Sequence, residues 1–370
     1  MTRIRPIGPC ISPGECAMQS CGLPVGQGGA AVWDGPRNGG PNSVEGTMGE
    51  QESGLNKLLL SPDANDIREW LHKNKSMVLK DKVMSESEAI RTFIREGCYI
   101  ATELYGSVRA PMSLCREVVR QGFKDLSLAG QGVMETEHLI SGKCVKRIEL
   151  TYQGWEVYGI SNILRRAAES GEVTISEWSN ASLAWRLKAA AMGIPFIPTR
   201  SMLGTDTFKY SGAKTIECPF TGQKLVALPA SPVDVGIIHV HRADLYGNCQ
   251  IDGITGFAWE LARASKRLII SCEEIIPTDE IRKYPDRTII PWFLVDAVVH
   301  APFGSYPGEM CYYYERDKQH IKDYIDQTET EEGAQAYLQK WVTGPKSHAE
   351  FLELVGAEKM DELRKAVLGR

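Results

Sequence analysis

No apolar run in this 370-residue chain approaches the roughly 20 residues needed to cross a bilayer, so a membrane-spanning helix is not expected. The first thirty residues lack the charged-then-apolar pattern of a secretory signal. There is no lysine before Lys57, and five acidic residues fall among the first 54, which argues against a mitochondrial presequence. The expected compartment is the cytoplasm. No Lys/Arg stripe interleaved with aromatics is present and the net charge is -5, so no nucleic-acid footprint is seen. The ten cysteines include no Cys-x-x-Cys pair and read as buried thiols. Cys10, Cys16 and Cys21 cluster near the start, but no histidine or fourth cysteine lies near enough to complete a tetrahedral metal site. Also missing are a Walker loop, a Gly-x-Gly-x-x-Gly after a strand, a Gly-x-Ser-x-Gly elbow and any internal repeat. The commonest nucleotide and serine-hydrolase chemistries are thereby disfavoured.

The chain opens on a tail. Of the first 54 residues, twelve are Gly and six are Pro, a composition that belongs to disordered sequence. Met77 or Met84 would be a natural beginning for the regular part of the chain. A linker over 55–83 carries a short helical pattern (Ile67, Trp70, Leu71), a main domain is expected over 84–325, and a helical extension over 326–370, its helices peripheral or forming a partner-binding arm. From Ser85 onward strands and helices alternate. Ser85 and Glu88 suggest a capped helix, Tyr99–Glu103 a strand, and 104–110 a loop; Pro111 opens a helix that runs to Gly122. Further strands are expected at Leu126–Ala129, Arg147–Tyr152, Val173–Glu177, Ile194–Pro198 (short and buried), Lys224–Leu228, Val233–Val240, Arg267–Ser271 and Val295–Val299. Helices are expected at Met134–Ile140, Val157–Ser170, Asn180–Met192 (apolar on nearly all sides, so buried) and Ala258–Ala264, and Ser201–Gly222 reads as a long polar loop with an aromatic tip. The alternation predicts an α/β fold with a mostly parallel sheet wrapped by helices.

One stretch organises the rest: Val233 to Asn248, an apolar strand whose polar residues, His239, His241, Arg242, Asp244 and Asn248, crowd its carboxyl end. Ligands in open α/β sheets bind at such ends. Its close, Ala-Asp-x-x-Gly-Asn, resembles the family I CoA-transferases, and more closely their glutaconate-type A subunits. Three further blocks carry the same resemblance: Ala189–Pro198, Ser271–Asp279, and Val295–Pro307 with Tyr314 and Asp317 beyond it.

The resemblance implies the CoA-transferase fold, no metal or bound cofactor, CoA as part of the substrate, and a B-subunit partner in a hetero-oligomer. It also implies ping-pong transfer through a glutamate of that B subunit, which attacks an acyl-CoA thioester. Such chemistry needs a desolvated carboxylate in near-attack geometry and backbone N–H donors for the oxyanion. The sequence departs from the family where a Gly-Gly-Phe turn is expected after the first strand. It reads Thr102-Glu103-Leu104-Tyr105-Gly106, and the second glycine loop is thinned to Ala129-Gly130-Gln131-Gly132. This implies a reshaped acyl pocket or a changed reaction. The alternative is the ring-opening CoA-ester hydrolases of steroid catabolism, which resemble the same subunits and use an A-chain glutamate to activate water; a scaffold subunit is a third reading.

Glu177 and Glu103 are the catalytic candidates, each a carboxylate near a strand end whose pKa burial would raise. Against these stand a capping role for Glu177 and a solvated loop position for Glu103. Gly106, Arg109, Gly130, Gln131, Gly132 and Asn248 are the substrate-binding candidates. Arg109 suits a carboxylate or the CoA phosphates, or else water. His239 and His241 are read as satisfied histidines rather than metal ligands. Asp244, Gly247 and Asn248 fix a turn, Cys272 packs, and Glu273 and Glu274 are expected at a subunit interface.

Overall fold

The computed structural model describes residues 52–368. Most of the expected amino-terminal tail, with Cys10, Cys16 and Cys21, lies outside them. The linker helix is α1, Ala64–Asn74, which buries Ile67 and sets Trp70 under the Arg267 guanidinium. In α2, Glu86–Phe93, Ser85 Oγ accepts the Glu88 N–H as its sequence suggests.

Strands and helices then alternate: β1 (Tyr99–Gly106), α3 (Met112–Gln121), β2 (Leu126–Gly132), α4 (Met134–Ser141), β3 (Val145–Leu150), α5 (Asn162–Glu169), β4 (Thr174–Glu177) and α6 (Asn180–Met192). A small antiparallel sheet comes next, from β5 (Phe196–Thr199), β6 (Lys214–Glu217) and β7 (Lys224–Pro229), with the one-turn α7 (Asp206–Lys209) between β5 and β6. The chain returns to the main sheet through β8 (Val233–Ala243), β9 (Cys249–Gln250), α8 (Ala258–Ala264), β10 (Ser265–Ile275), α9 (Thr278–Lys283), β11 (Thr288–Ile290) and β12 (Ala297–His300). It ends in α10 (Lys318–Gln327), α11 (Glu331–Leu338), α12 (His348–Val355) and α13 (Ala357–Leu368).

Among the described residues the main sheet has nine strands, and its parallel core runs β4-β3-β2-β1-β8-β10-β12. The chain winds outward from β1 to β4, then comes back to pair β8 with β1 on its other side. That reversal makes a topological switch point, the place where α/β sheets open a crevice. Both faces are covered. Ile100, Ile237, Ile269 and Val299 pack with α2–α5, α10 and α11 on one face; Ala101, Ile238, Ile270 and Val298 pack with α6 and α8 on the other. At about 25 cal/mol per Å² of apolar surface, two such layers supply the main driving force for folding. No helix among the described residues is long and apolar enough to cross a membrane.

Several expectations need correction. The first strand does not stop at Glu103 but runs to Gly106, so 104–106 is strand and not loop. Helix α6 buries one face only: Trp185 is exposed, while Arg186 is buried because its guanidinium grips Glu149 at 2.7 and 3.1 Å. Strand β5 is partly exposed, because it lies at the edge of the small sheet. The stretch 201–222 is not a loop; it holds α7 and β6, and Phe208 is buried at its centre. The helix expected from Val157 begins only at Asn162, after a single turn of 3₁₀ helix. The last helices, expected at the periphery, place Tyr324, Tyr337 and Leu338 in the core.

The segment before the main sheet is bound to the body. The Gly54 N–H donates to Ala213 O at 2.8 Å, Thr215 N–H donates to Glu52 O at 2.8 Å, and Asn56 Nδ2 donates to Ile175 O at 3.1 Å. Lys75 pairs with the buried Asp296.

Candidate active site

At the switch point β1 departs from regular pairing. Ala101 faces Ala129 of β2, and the next matched pair is Tyr105 with Gln131, so four residues of β1 are spent against two of β2. Bulges of this kind re-aim side chains. Thr102 Oγ1 would lie 2.6 Å from a Cβ at Gly130, so only glycine lets the two strands approach here.

Glu103 sits in this irregular stretch, fully buried, with Arg109 Nη2 at 2.9 Å from Oε1 and 2.7 Å from Oε2. It is neither in water nor in a loop, contrary to the bland reading of the sequence. Arg109 is not solvated either. It is buried, holds φ +52°, and also donates from Nη1 to His239 O at 2.7 Å. Burial pushes the Glu103 carboxyl up to about 7, and the Arg109 charge only partly offsets this.

A second carboxyl stands beside it. Glu135, in the first turn of α4, is fully buried, and a Cβ on Gly132 would fall 1.5 Å from its Oε1. Apart from its own N–H, neither carboxyl oxygen has a hydrogen-bond partner among the described residues. Burial first, then the charges of Glu103 and Glu137, raise its pKa to about 8.

Above these groups lies a cleft of about 410 Å³ whose walls include Gly106, Ser107, Trp155, Tyr158, Glu309 and Arg316. Gly106 turns the chain at φ +64°. The loop beyond it is pinned, since Arg109 N–H donates to Glu309 O and Glu309 N–H to Ser107 O, both at 2.8 Å. The structure therefore gathers Glu103, Gly106, Arg109, Gly130 and Gly132 at the tips of β1 and β2. Gln131 is close by, and its Nε2 donates to Asn180 O at 3.0 Å.

Two candidates are placed elsewhere. Glu177 ends β4, the outer strand, three strands or about 14 Å across the sheet from β1. Burial and then Asp206 raise its pKa, yet it is only partly covered. Asn248 belongs to the turn after β8: its Nδ2 donates to Asp244 Oδ2 at 2.8 Å and its Oδ1 accepts the Trp292 N–H at 3.1 Å. Gly247 in the same turn has φ +95°.

Glu273 faces inward, not toward an interface. It accepts from Tyr314 Oη at 2.7 Å and from the Phe303 N–H at 2.7 Å, and its Oε1 lies 2.8 Å from His239 Nε2. His239 Nδ1 reaches Ser271 Oγ at 2.8 Å, and His241 lies 2.8 Å from Cys311 O, so both histidines are satisfied by protein. Burial pushes the Cys272 thiol up to about 12. Sequence reasoning misses Glu135. The signal that could find it is a charged residue opening a helix directly after a glycine-bearing strand end.

The sequence model of the family described as "Coenzyme A transferase" matches residues 83–301. Over 309 residues the chain is 33% identical to the A subunit of glutaconate CoA-transferase from Acidaminococcus fermentans, covering 76% of this chain and 94% of that one. Over 275 residues it is 33% identical to the A subunit of 3-oxoadipate CoA-transferase from Pseudomonas knackmussii, covering 73% and 96%. The crystal structure of the A. fermentans glutaconate coenzyme A-transferase superposes with a TM-score of 0.74 at 32% identity, over 76% of this chain and 95% of that one.

Proposed function

Because this chain belongs to the coenzyme A transferase family, we propose that it is the A subunit of a heteromeric CoA-transferase whose nucleophilic glutamate resides on a B-type partner. The observation that carries this reading is the cleft at the tips of β1 and β2, open at the switch point, beside which the chain's own two buried carboxyls are either bound to a guanidinium, as Glu103 is to Arg109, or raised to about 8 by burial, as Glu135 is. A paired carboxylate and a protonated carboxyl are both poor nucleophiles, so the reading has a second polypeptide bring one.

In the reaction so proposed, the partner's carboxylate attacks the thioester carbonyl and expels CoA thiolate, leaving an acyl-glutamyl anhydride. The thiolate then attacks the glutamyl carbonyl and releases the first acid. A second acid takes the acyl position by the reverse steps. This chain contributes the wall of the acyl pocket: Gly106 and Gly154 offer bare backbone, and Ser107 and Trp155 bound the space. The likeness to two transferase A subunits supports this reading over ring-opening hydrolysis by a glutamate of this chain.

The test is co-purification with a B-type polypeptide, followed by trapping in the presence of an acyl-CoA. Label from hydroxylamine or borohydride should appear on a B-chain glutamate, and this chain alone should be inert. Thioester turnover by the isolated chain would overturn the reading.

A further inference from the structure

A single loop supplies much of the cleft's wall: Gly154, Trp155, Glu156, Val157 and Tyr158 all line it. The loop closes on itself. Trp155 N–H donates to Gly159 O at 2.7 Å, Tyr158 N–H donates to Trp155 O at 3.0 Å, and Gly154 pairs with Ile160. None of these bonds ties it to the body. Every residue from Glu156 to Ile160 is exposed, Val157 by 88%. The exposed Glu156 adds only a solvent-screened attraction to Arg316.

Trp155 is the exception. Among residues 154–160 it is the one side chain that enters the core, where its ring meets Tyr324 of α10 edge-on at 5.6 Å. Its Nε1 donates to Glu137 Oε1 at 3.1 Å. Glu137 lies in the middle of α4, fully buried, in a helix that buries all eight of its residues, so the acceptor is as fixed as the core itself. Burial, the larger effect, raises its pKa, and the neighbouring Ser161, Tyr324 and Trp155 donors draw it back. Charged or neutral, a carboxyl keeps an oxygen free to accept the indole hydrogen.

Resting on the transferase reading above, we propose that Glu137 is a positioning residue for acyl-CoA binding: it touches no substrate, and by holding the Trp155 indole it fixes the loop 154–160 as a wall of the acyl pocket. A wall so held lets the acyl group bind without first ordering the loop. Loss of the acceptor strands a buried indole N–H, and the loop then leaves the core to hydrate it. The reacting carboxylate, on the partner, is untouched by this change, so KM bears the effect rather than kcat.

The experiment uses the reconstituted complex with butyryl-CoA and glutaryl-CoA as donors and acetate as acceptor, alongside amide hydrogen exchange read by mass spectrometry. Glu137→Leu removes the acceptor, and should raise the donor KM about fivefold or more while kcat stays within about twofold, as befits the loss of one hydrogen bond used for binding. The amides of 154–160 should exchange about tenfold faster, with those of β2 unchanged. Glu137→Gln keeps a side-chain oxygen that accepts, and should return both readings to within about twofold of wild type. Trp155→Phe removes the donor and keeps an aromatic ring, so it should repeat the Glu137→Leu result from the other end of the bond, and it decides the matter if Glu137→Leu does not fold. An unchanged KM or unchanged loop exchange, or a Glu137→Gln as impaired as Glu137→Leu, overturns the inference and leaves the transferase reading standing. A wild-type complex that yields no acetyl-CoA from either donor overturns that reading, and the inference with it.

Discussion

Arg109 carries an unusual load for one side chain. It adopts a left-handed backbone that non-glycine residues rarely use, neutralises Glu103, and ties the tip of β1 to the carbonyl of His239 on β8. Removing it leaves a buried carboxylate with no counter-ion, a change that costs about 3–5 kcal/mol. Arg109→Ala should therefore show a large loss of stability in urea unfolding. Arg109→Ala with Glu103→Gln in the same chain should recover much of it, because no charge is then left stranded. If the double variant is as unstable as the single one, the pair is not what holds this corner together.

At the scale of elements, the strand sequence is legible wherever an apolar run lies between turn residues. Helices α3, α6 and α8 begin and end within a residue of expectation, since Gly122 and Gly193 close the first two at φ +71° and +69°. The bulge in β1 is not legible, because nothing in Thr102-Glu103-Leu104 breaks an ordinary strand pattern; what bends it is Gly130 on the neighbouring strand. The sequence pattern accordingly ends the strand at Glu103 and leaves a catalytic carboxylate and a solvated loop carboxylate as alternatives for it. Glu135 is hidden for a related reason: α4 buries all eight of its residues, so its acids follow no amphipathic stripe. Arg109 and Glu103 can each be singled out from the sequence, but their pairing cannot. The segment 52–83 also has more structure than its linker composition suggests. A chain beginning at Met84 loses its bonds to Ala213, Thr215 and Ile175 and the Lys75–Asp296 pair. Its melting temperature should fall by about 5–10 °C relative to a chain beginning at residue 52. Identical melting by calorimetry would show the segment to be passive.

For the whole molecule, burial sets two opposed pH slopes. His138 and His348 are pushed down to about 3, and His241 and His320 to about 4, chiefly by desolvation. Unfolding lets them take up protons below about pH 6.5, so stability falls as the solution becomes more acidic. Glu103 and Glu135 go the other way. From an ordinary value of 4.5 they are raised to about 7 and 8, so the folded state keeps protons that the unfolded chain has released, and stability falls as pH rises through that window. The slopes meet near pH 6.5, where urea unfolding should find the maximum. Glu135→Gln should lose distinctly less stability between pH 6.5 and 8.5 than wild type does. A wild-type curve flat over that range would contradict the neutral, buried state assigned to Glu135.

The winding of the sheet also bears on how the chain is made. Strand β1 is completed at Gly106, but its neighbour β8 begins only at Val233. At roughly 5–20 residues per second, the ribosome takes on the order of ten seconds to deliver the intervening stretch. Throughout that interval the first four strands can assemble while one flank of β1 stays bare, and a bare flank is a template for pairing with another nascent copy.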